Sequence, residues 1–352
     1  MTSDLIQRTV NAIRPVGSLE LQQAIQHRLD NLTKPPGSLG RLEQLALRYG
    51  LARGTANLKL QRKSIYVFCA DHGIAAEGVS AYPAAVTVQM VRNFVRGGAA
   101  INVICRQCGI ETAVVDMGIN GALEPGTLDC RIGLGTRNWL LEPAMTLEQA
   151  VRCVEAGIKL ATDAARTADV LGVGEMGIGN STTAAALFSA FSGIDPQLTV
   201  GLGTGVTAEV LLRKADVIRQ ALRLHEPTIS DPIGILAAVG GFDIGGICGF
   251  LLGAAAQRVP VVVDGFITGA AALVAQAMSR HLREYLFFAH LSAESGHARM
   301  LEFLGGQPLL KLDMRLGEGT GAALGINLIE TAVRLYTGMA TFSEASVSTK
   351  PE

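Results

Sequence analysis

The sequence predicts an α/β fold built on a mostly parallel, doubly wound sheet. Short apolar runs recur along the 352 residues without alternating with polar residues, which is typical of strands buried on both faces. Helical periodicity fills much of the sequence between these runs, and hydrophobic residues make up 49% of the chain. Such alternation of strand and helix is the pattern of a parallel sheet covered by helices.

Six apolar runs are predicted to form the strands of this sheet. In chain order they are Ser64–Ala70, Thr112–Asp116, Asp169–Val173, Leu198–Leu202, Val259–Val263 and Tyr285–Ala289. Between them, apolar residues spaced by three and four predict amphipathic helices, for example through Val88, Val91 and Phe94. A second such helix runs through Val210, and Lys214 on its apolar side is expected to extend its amine to the edge of the apolar face.

Helical segments flank the predicted sheet at both ends of the chain. A leucine-rich stretch over residues 39–49 predicts an amphipathic helix, and residues 322–339 read as a long C-terminal helix. We predict that residues 1–60 and 325–352 together form a small helical domain. Residues 61–324 are then expected to form the large catalytic α/β domain.

The composition favours an enzyme of small metabolites over a nucleic-acid-binding protein. The formal net charge is -1 and only 17% of residues are charged, so no basic field is present to attract a polyanion. The longest apolar stretch, residues 245–256, falls short of the ~20 residues that a membrane span needs. Because the N-terminal residues also lack a signal-peptide pattern, a cytoplasmic protein is expected.

Cysteine usage points to neither a disulfide framework nor a structural metal. Cys105 and Cys108 form a lone CxxC pair inside an apolar helical stretch, without a second pair or a nearby histidine to complete a zinc site. We therefore expect these cysteines to contribute to packing and predict no bound metal.

Glycine and polar residues follow each predicted strand. The six strand ends are Asp71-His72-Gly73, Asp116-Met117-Gly118, Gly174-Glu175-Met176-Gly177, Gly203-Thr204-Gly205, Asp264-Gly265 and His290-Leu291-Ser292. In open α/β sheets, ligands bind beyond the carboxyl ends of the strands. A strand-to-helix turn would explain any single example, but the recurrence of the pattern predicts one large ligand site.

The glycine-rich segment after the third predicted strand is a candidate anion site. Residues 174–183 (GEMGIGNSTT) precede a helix start, where backbone N–H groups and the helix dipole favour a phosphate or a carboxylate. The segment lacks the P-loop ending and the dinucleotide spacing of glycines, so a simple capped turn is the alternative. Glu175 would repel a phosphate and is expected to face a neutral or cationic part of the ligand.

Two further acidic residues stand at predicted strand or helix ends. Asp264 follows a hydrophobic strand as in the pyrophosphate–ribose motif of common phosphoribosyltransferases, but Gly265 occupies the place of the second acid. A lone Asp264 could bind a ribose hydroxyl or orient the turn. Glu318 lies between glycines just before a helix, whose N-terminus favours the ionised form, so it could serve as a base. A solvated loop glutamate is the ordinary alternative.

The loop after the first predicted strand is rich in polar and aromatic residues. Tyr82 could stack on a planar base, while Ser80 and Gln89 could hydrogen-bond its edge. His72 could be a ligand, an acid or base, or a histidine held within the turn. The roles of His72 and Asp71 stay open at this point.

Taken together, these segments resemble the nicotinate-nucleotide–dimethylbenzimidazole phosphoribosyltransferase family along nearly the whole chain. The matching segments are Lys34–Glu43, Ala70–Gly73, Gly174–Gly177, Gly240–Asp243, Asp264–Phe266, Ser292–Glu294 and Arg315–Gly319. Each is weak alone, but their order and spacing are highly specific.

The resemblance implies a Rossmann-like large domain, a homodimer, and an enzyme without a cofactor or a metal. It implies that 5-phosphoribose passes from nicotinate mononucleotide to 5,6-dimethylbenzimidazole, giving α-ribazole 5'-phosphate and nicotinate for the nucleotide loop of cobalamin. Glu318 would be the catalytic base and Glu175 a second carboxylate. The other implied substrate-binding residues are Gly177, Gly179, Asn180, Ser181, Gly203, Gly205 and Ser292 around the phosphate with Lys214 as a cationic partner, and Asp243, Asp264, Leu316, Tyr82 and Gln89 elsewhere.

Direct displacement with inversion fits this chemistry, because the departing pyridinium nitrogen is already cationic and needs no metal. Three alternatives compete with this hypothesis. A diphosphate-dependent phosphoribosyltransferase would need a divalent metal, and a nicotinamide-dependent oxidoreductase would need a dinucleotide fingerprint that the chain lacks near its first predicted strand. A non-catalytic nucleotide-binding protein would not depend on Glu318 for any turnover.

Overall fold

The computed structural model describes residues 3–201, 207–226 and 231–348. Within these ranges the strands are β1 (Lys63–Ala70), β2 (Glu111–Gly118), β3 (Leu128–Asp129), β4 (Val170–Met176), β5 (Val261–Val263) and β6 (Leu286–Phe288). They form one sheet in the order β3-β2-β1-β4-β5-β6, and every neighbouring pair is parallel. The predicted α/β class with a doubly wound parallel sheet is confirmed.

Helices connect the strands and precede and follow the sheet. In the described residues they are α1 (Asp4–Ala12), α2 (Leu19–Asn31), α3 (Arg41–Arg53), α4 (Val86–Val95), α5 (Ala100–Cys108), α6 (Leu147–Ala164), α7 (Asn180–Ser192), α8 (Pro196–Thr199), α9 (Ala208–Leu224), α10 (Pro232–Val239), α11 (Phe242–Ala256), α12 (Phe266–Met278), α13 (His297–Leu304) and α14 (Thr320–Gly338). Local sequence defines many of their starts. At α6, for example, the Thr146 hydroxyl accepts from the Gln149 amide at 3.1 Å, and Gln149 accepts from the Thr146 amide at 2.9 Å.

Five of the six predicted strands occur, and the fourth prediction is wrong over residues 198–201, while its last residue, Leu202, lies outside the described residues. Pro196–Thr199, which overlaps the predicted strand Leu198–Leu202, forms the short helix α8 instead. Asp195 caps this helix by accepting from the Gln197 amide at 2.8 Å, and Pro196 in the first turn favours the helical start. Local capping chemistry therefore overrides the apolar pattern at this position. The sheet still has six strands, because it includes β3, an exposed strand of two residues that the sequence did not predict.

The strand order places β1 beside β4 at the point where the winding reverses, and helices cover both faces. One buried cluster contains side chains of α1, α6, α7, α10, α11 and α12, and the other contains side chains of α2, α3, α4, α5 and α14. Within β1, Ile65 and Val67 belong to the second cluster while Phe68 belongs to the first. The reversal between β1 and β4 is the point where open α/β sheets bind ligands.

The most apolar stretch of the chain forms the buried helix α11, which packs closely against α6. A Cβ atom on Gly249 would lie 1.9 Å from the Val154 carbonyl oxygen, so the two backbones can approach this closely only because the residue is glycine. Residues 242–255 of α11 are all buried, which accounts for the high hydropathy of this stretch. In the parts of the chain that the structure describes, no helix combines the length and apolarity required to cross a membrane.

Helices from the two ends of the chain pack together. The Arg28 guanidinium donates to the Tyr336 carbonyl at 2.9 Å, and the Tyr336 hydroxyl donates to the Ala56 carbonyl at 3.0 Å. Helix α14 also packs against the sheet, with Ile326 lying close to Gly172 of β4. The division into a small domain (1–60 plus 325–352) and a large domain (61–324) stays a prediction.

Candidate active site

A cleft with about 770 Å³ of empty space opens beyond the carboxyl ends of β4, β5 and β6. The lining residues are Val79, Ser80, Glu175, Met176, Gly177, Ile178, Gly179, Asn180, Ser181, Lys214, Gly265, Phe266, Ile267, His290, Ser292, Glu294, Arg315, Leu316 and Gly317. The structure thus brings together eight predicted site residues: Glu175, Gly177, Gly179, Asn180, Ser181, Lys214, Ser292 and Leu316.

The β4–α7 turn, residues 177–179, directs the N-terminus of a helix into the cleft. Gly179 has a φ of 100°, which only glycine adopts readily, and α7 begins at the next residue. The Ile178 amide donates to the Thr87 hydroxyl at 3.1 Å, which fixes the turn from behind. The amides of Asn180 and Thr182 donate to carbonyls of the same turn, and the dipole at the start of α7 makes this end of the cleft favourable for an anion.

Lys214 of α9 lies fully inside the protein next to this turn. Its Nζ donates to the Ser181 hydroxyl at 3.1 Å and to the Gly201 carbonyl at 3.4 Å, and only 1% of the residue is exposed. The expectation that its amine reaches the edge of the helix face is wrong, because these acceptors hold it inward. Burial lowers the pKa of Lys214 to about 8, while the nearby charge of Glu294 opposes the shift. The amine therefore carries its positive charge at neutral pH.

Glu175, at the end of β4, lies on the other side of the turn. Its carboxylate accepts from the Asn180 side-chain amide and lies so close to Gly317 that a Cβ there would be 2.3 Å from Oε1. Burial raises the pKa of Glu175 well above its usual range, and the charges of Asp243 and Asp264 act in the same direction. Burial and these neighbouring charges therefore favour the uncharged form of Glu175.

Glu318 follows the lining residues Leu316 and Gly317 in the chain but is itself buried and not among the residues that line the cleft. Three successive residues, Gly317, Glu318 and Gly319, have positive φ angles of 85°, 64° and 88°, a conformation that costs a non-glycine residue of order 1–3 kcal/mol. Glu318 is 5% exposed, and within the described residues its Oε2 has no hydrogen-bond partner. Burial raises its pKa to about 7. The sequence suggested that the helix N-terminus would favour the ionised form of Glu318, but the effect of burial on its pKa is larger and in the opposite direction.

Asp264 lies beneath the Glu318 loop and does not line the cleft. Its carboxylate accepts from the Gly319 amide at 3.1 Å and from the Ala322 amide at 2.9 Å, so it holds the loop and the start of α14 in place. Burial raises the pKa of Asp264 to about 7, against the lowering effect of these amides. The geometry supports the orienting role rather than a direct contact with a ligand.

The remaining predicted residues lie away from the cleft or outside the described residues. Asp243 is buried behind the β4–α7 turn, where its Oδ2 lies 3.2 Å from Nε2 of His72. Tyr82 is half exposed and lines a neighbouring cavity together with Asp71, and Gln89 is exposed on α4. Their assignment to a base pocket stays a prediction. Gly203 and Gly205 lie outside the described residues.

Several lining residues were missed by the sequence interpretation. They are Val79, Met176, Ile178, Phe266, Ile267, His290, Glu294 and Arg315. Met176 and His290 stand in the predicted strand ends, and Phe266, Glu294 and Arg315 stand in the segments that carry the family resemblance, but none of the five was predicted as a site residue. Pattern alone gives no reason to choose Val79 or Ile178, whose apolar side chains resemble those of the core.

Comparison with known proteins decides the family of the chain. Residues 15–347 match the model of a family described as phosphoribosyltransferase. The chain belongs to this phosphoribosyltransferase family.

Full-length relatives support the assignment of the chain to this phosphoribosyltransferase family. A nicotinate-nucleotide–dimethylbenzimidazole phosphoribosyltransferase of Geobacter metallireducens is 50% identical over 346 residues, covering 97% of this chain and 98% of the relative. A protein of the same name from Prosthecochloris aestuarii is 46% identical over 347 residues, covering 98% of each. The crystal structure of CobT from Thermus thermophilus superposes with a TM-score of 0.90 at 46% identity, covering 94% of this chain and 100% of that one.

Proposed function

We propose that this enzyme transfers 5-phosphoribose from nicotinate mononucleotide to 5,6-dimethylbenzimidazole, giving α-ribazole 5'-phosphate and nicotinate for the nucleotide loop of cobalamin. One observation carries the proposal: Lys214 and the start of α7 form a cationic end of the cleft, Glu175 lines its other end, and Glu318 is buried next to the lining residue Gly317. The first end suits the phosphate, and the second suits two aromatic nitrogen heterocycles. The names of the relatives point to the same substrates.

The phosphate is assigned to the start of α7. The β4–α7 turn supplies backbone N–H groups, the Ser181 hydroxyl lies beside them, and the Lys214 ammonium adds a full positive charge. Ser292, whose amide donates to Nδ1 of His297 at 2.9 Å, faces the same cleft and can donate from its hydroxyl. With the phosphate assigned here, we propose that the ribose lies between this site and the two glutamates.

The departing ring needs little help from the protein. Its nitrogen is cationic while bonded to ribose and becomes neutral as the bond breaks, so no proton or metal is needed to stabilise it. Burial favours the uncharged form of Glu175, and a carboxyl group in that form can lie beside an aromatic ring and still donate a hydrogen bond.

Glu318 is proposed as the general base for the acceptor. As one benzimidazole nitrogen attacks C1' of the ribose, the proton on the other ring nitrogen becomes acidic, and a carboxylate with a pKa near neutrality is well matched to accept it. Holding the two rings on opposite faces of the ribose supplies much of the acceleration. This geometry requires direct displacement, which inverts the anomeric carbon from β to α.

Product analysis tests the proposed reaction. Purified enzyme incubated with nicotinate mononucleotide and 5,6-dimethylbenzimidazole is expected to release nicotinate and α-ribazole 5'-phosphate in equal amounts. NMR of the anomeric proton should report the α configuration. A β product, or a ribosyl adduct trapped on the enzyme, would contradict direct displacement, and the absence of any transfer would contradict the function itself.

The pH profile should report the ionisation of Glu318. Below its pKa of about 7 the carboxyl group is protonated and cannot act as a base, so kcat is expected to rise through that region and to level off above it. Loss of the Lys214 charge above its pKa of about 8 should in turn raise KM for the nucleotide. Steady-state rates between pH 5.5 and 9.5 measure both effects, and a kcat that is constant between pH 5.5 and 8 would contradict the assignment of Glu318.

Chelation separates this reaction from that of a diphosphate-dependent phosphoribosyltransferase. Among the residues in the described ranges, no group of three or more His, Cys, Asp or Glu side chains is arranged to hold a metal ion. Because the proposed leaving group needs no metal, turnover with excess EDTA is expected to equal turnover with added Mg²⁺. A loss of activity that Mg²⁺ restores would favour the diphosphate-dependent reaction.

The proposal also includes a homodimer, a cytoplasmic location and a tolerant acceptor site. Light scattering coupled to size-exclusion chromatography tests the dimer. Tolerance is expected because one hydrophobic methyl group contributes only ~1–3 kcal/mol of discrimination. Benzimidazoles without one or both methyl groups should therefore remain substrates.

A further inference from the structure

His72, which follows β1, is held by hydrogen bonds on both ring nitrogens. Its Nε2 lies 3.2 Å from Oδ2 of Asp243, and its Nδ1 lies 3.2 Å from the hydroxyl of Thr183. The side chains of His72 and Asp243 are completely buried. Because a carboxylate only accepts, Nε2 carries the hydrogen toward Asp243, and Nδ1 accepts from the Thr183 hydroxyl in the neutral ring.

The same imidazole supports the β4–α7 turn from beneath. A Cβ on Gly177 would lie 2.9 Å from Nε2 of His72, and a Cβ on Gly179 would lie 3.3 Å from the His72 Cβ. On the opposite side, a Cβ on Gly241 would lie 2.3 Å from Cε1 of the ring. The ring thus fills the space between the turn and the start of α11, and its position determines the position of the turn.

From these contacts we infer that His72 is a positioning residue that holds the β4–α7 turn in the shape needed to bind a phosphate, and that Asp243 acts through His72 rather than on the substrate. The inference rests on the proposed function, since it concerns the phosphate end of the same cleft. Misplacing a binding group by 1 Å can cost on the order of 10²-fold in rate. Small shifts of this turn should therefore be measurable.

A direct chemical role does not fit the geometry. The ring is not among the residues that line the cleft, and it only borders the neighbouring cavity that contains Tyr82. Both of its nitrogens already have partners within the protein. Loss of the ring should therefore weaken binding of the phosphate end and leave the chemical step largely intact.

Two variants test the inference. His72→Asn retains a polar group near the Nδ1 position but loses the bond to Asp243, and Thr183→Val removes the hydroxyl while keeping the shape of the side chain. For His72→Asn, KM for nicotinate mononucleotide is expected to rise roughly tenfold or more while kcat changes less than about threefold. The inhibition constant of inorganic phosphate should rise in parallel. Thr183→Val should shift both quantities in the same direction by a smaller factor.

His225→Asn is the matched control. His225 is another buried histidine, hydrogen-bonded through Nε2 to the Trp139 carbonyl at 2.7 Å and absent from the cleft lining. Its replacement should lower Tm without changing KM for the nucleotide. If His72→Asn likewise lowers Tm but leaves KM and phosphate inhibition unchanged, His72 is merely structural and the inference is wrong.

A fall of more than about 100-fold in kcat of His72→Asn at constant KM would also overturn the inference, since it would place the ring in the chemical step. If His72→Asn does not fold, Thr183→Val decides by the same criteria. Failure of the proposed function looks different, because the unmodified enzyme would then show neither phosphoribosyl transfer nor inhibition by inorganic phosphate.

Discussion

Replacing Glu318 with Gln is expected to lower kcat by about 10²–10⁴-fold, the usual contribution of a general base, while KM for the nucleotide changes little. The amide side chain would fill the same space as the carboxylate but could not accept a proton from the acceptor ring. The measurement is steady-state turnover at pH 8, where the Glu318 carboxylate of the unmodified enzyme is ionised. Near-normal turnover of Glu318→Gln would contradict the assignment. If the unmodified protein bound nucleotide without any turnover, a non-catalytic role would be favoured.

Stability and a second glutamate provide the controls for this variant. Burial raises the pKa of Glu318 above its value in the unfolded chain, so the ionised form lowers stability once the pH exceeds the unfolded pKa. Tm of Glu318→Gln at pH 8 should therefore equal or exceed that of the unmodified enzyme. Glu175→Gln should reduce kcat less than Glu318→Gln does, because Glu318 is the proposed base and burial favours the uncharged form of Glu175.

Replacing Lys214 with Met should have the largest effect on nucleotide binding. A hydrogen bond to a charged group contributes about 1.5–3 kcal/mol, so kcat/KM for nicotinate mononucleotide is expected to fall by about 10–100-fold or more, mainly through KM. Met preserves the unbranched shape of the buried side chain, and removing a buried cation relieves its desolvation. Tm should therefore change little.

An exposed lysine serves as the matched control for this variant. Lys159→Met on α6 removes the same charge from a site that does not line the cleft, and it should leave both kinetic constants unchanged. Equal effects of the two substitutions would mean that the net charge matters rather than a contact with the phosphate. An unchanged KM in Lys214→Met would remove Lys214 from the proposed phosphate site.

Most of the sheet could be predicted from the sequence, because strands that are buried on both faces consist of continuous runs of apolar residues. The failure at Leu198–Leu202 has a local cause, since the Asp195 cap and Pro196 favour a helix whatever the apolar content of the run. The exposed β3 gives no apolar signal at all. The close packing of α6 on α11 depends on glycines that meet only after the chain has folded.

The site was predictable to the extent that its residues follow parallel strands of one sheet. Glu175 and Ser292 are distant in sequence, yet both lie at the same edge and reach one cleft. Side-chain direction was not predictable, because it depends on which loops pack together. Asp264 and Asp243 therefore lie behind the cleft instead of in it, and Lys214 lies inside the protein instead of at its edge.

The crystal structure of the enzyme soaked with 5,6-dimethylbenzimidazole and nicotinate mononucleotide tests the central claim most directly. Our account predicts that a Glu318 carboxylate oxygen lies about 2.6–3.2 Å from the non-attacking nitrogen of the acceptor ring. It also predicts that the second nitrogen faces C1' of the ribose. A structure in which that ring nitrogen contacts Glu175 or solvent while Glu318 stays directed away from the acceptor would contradict the proposed mechanism.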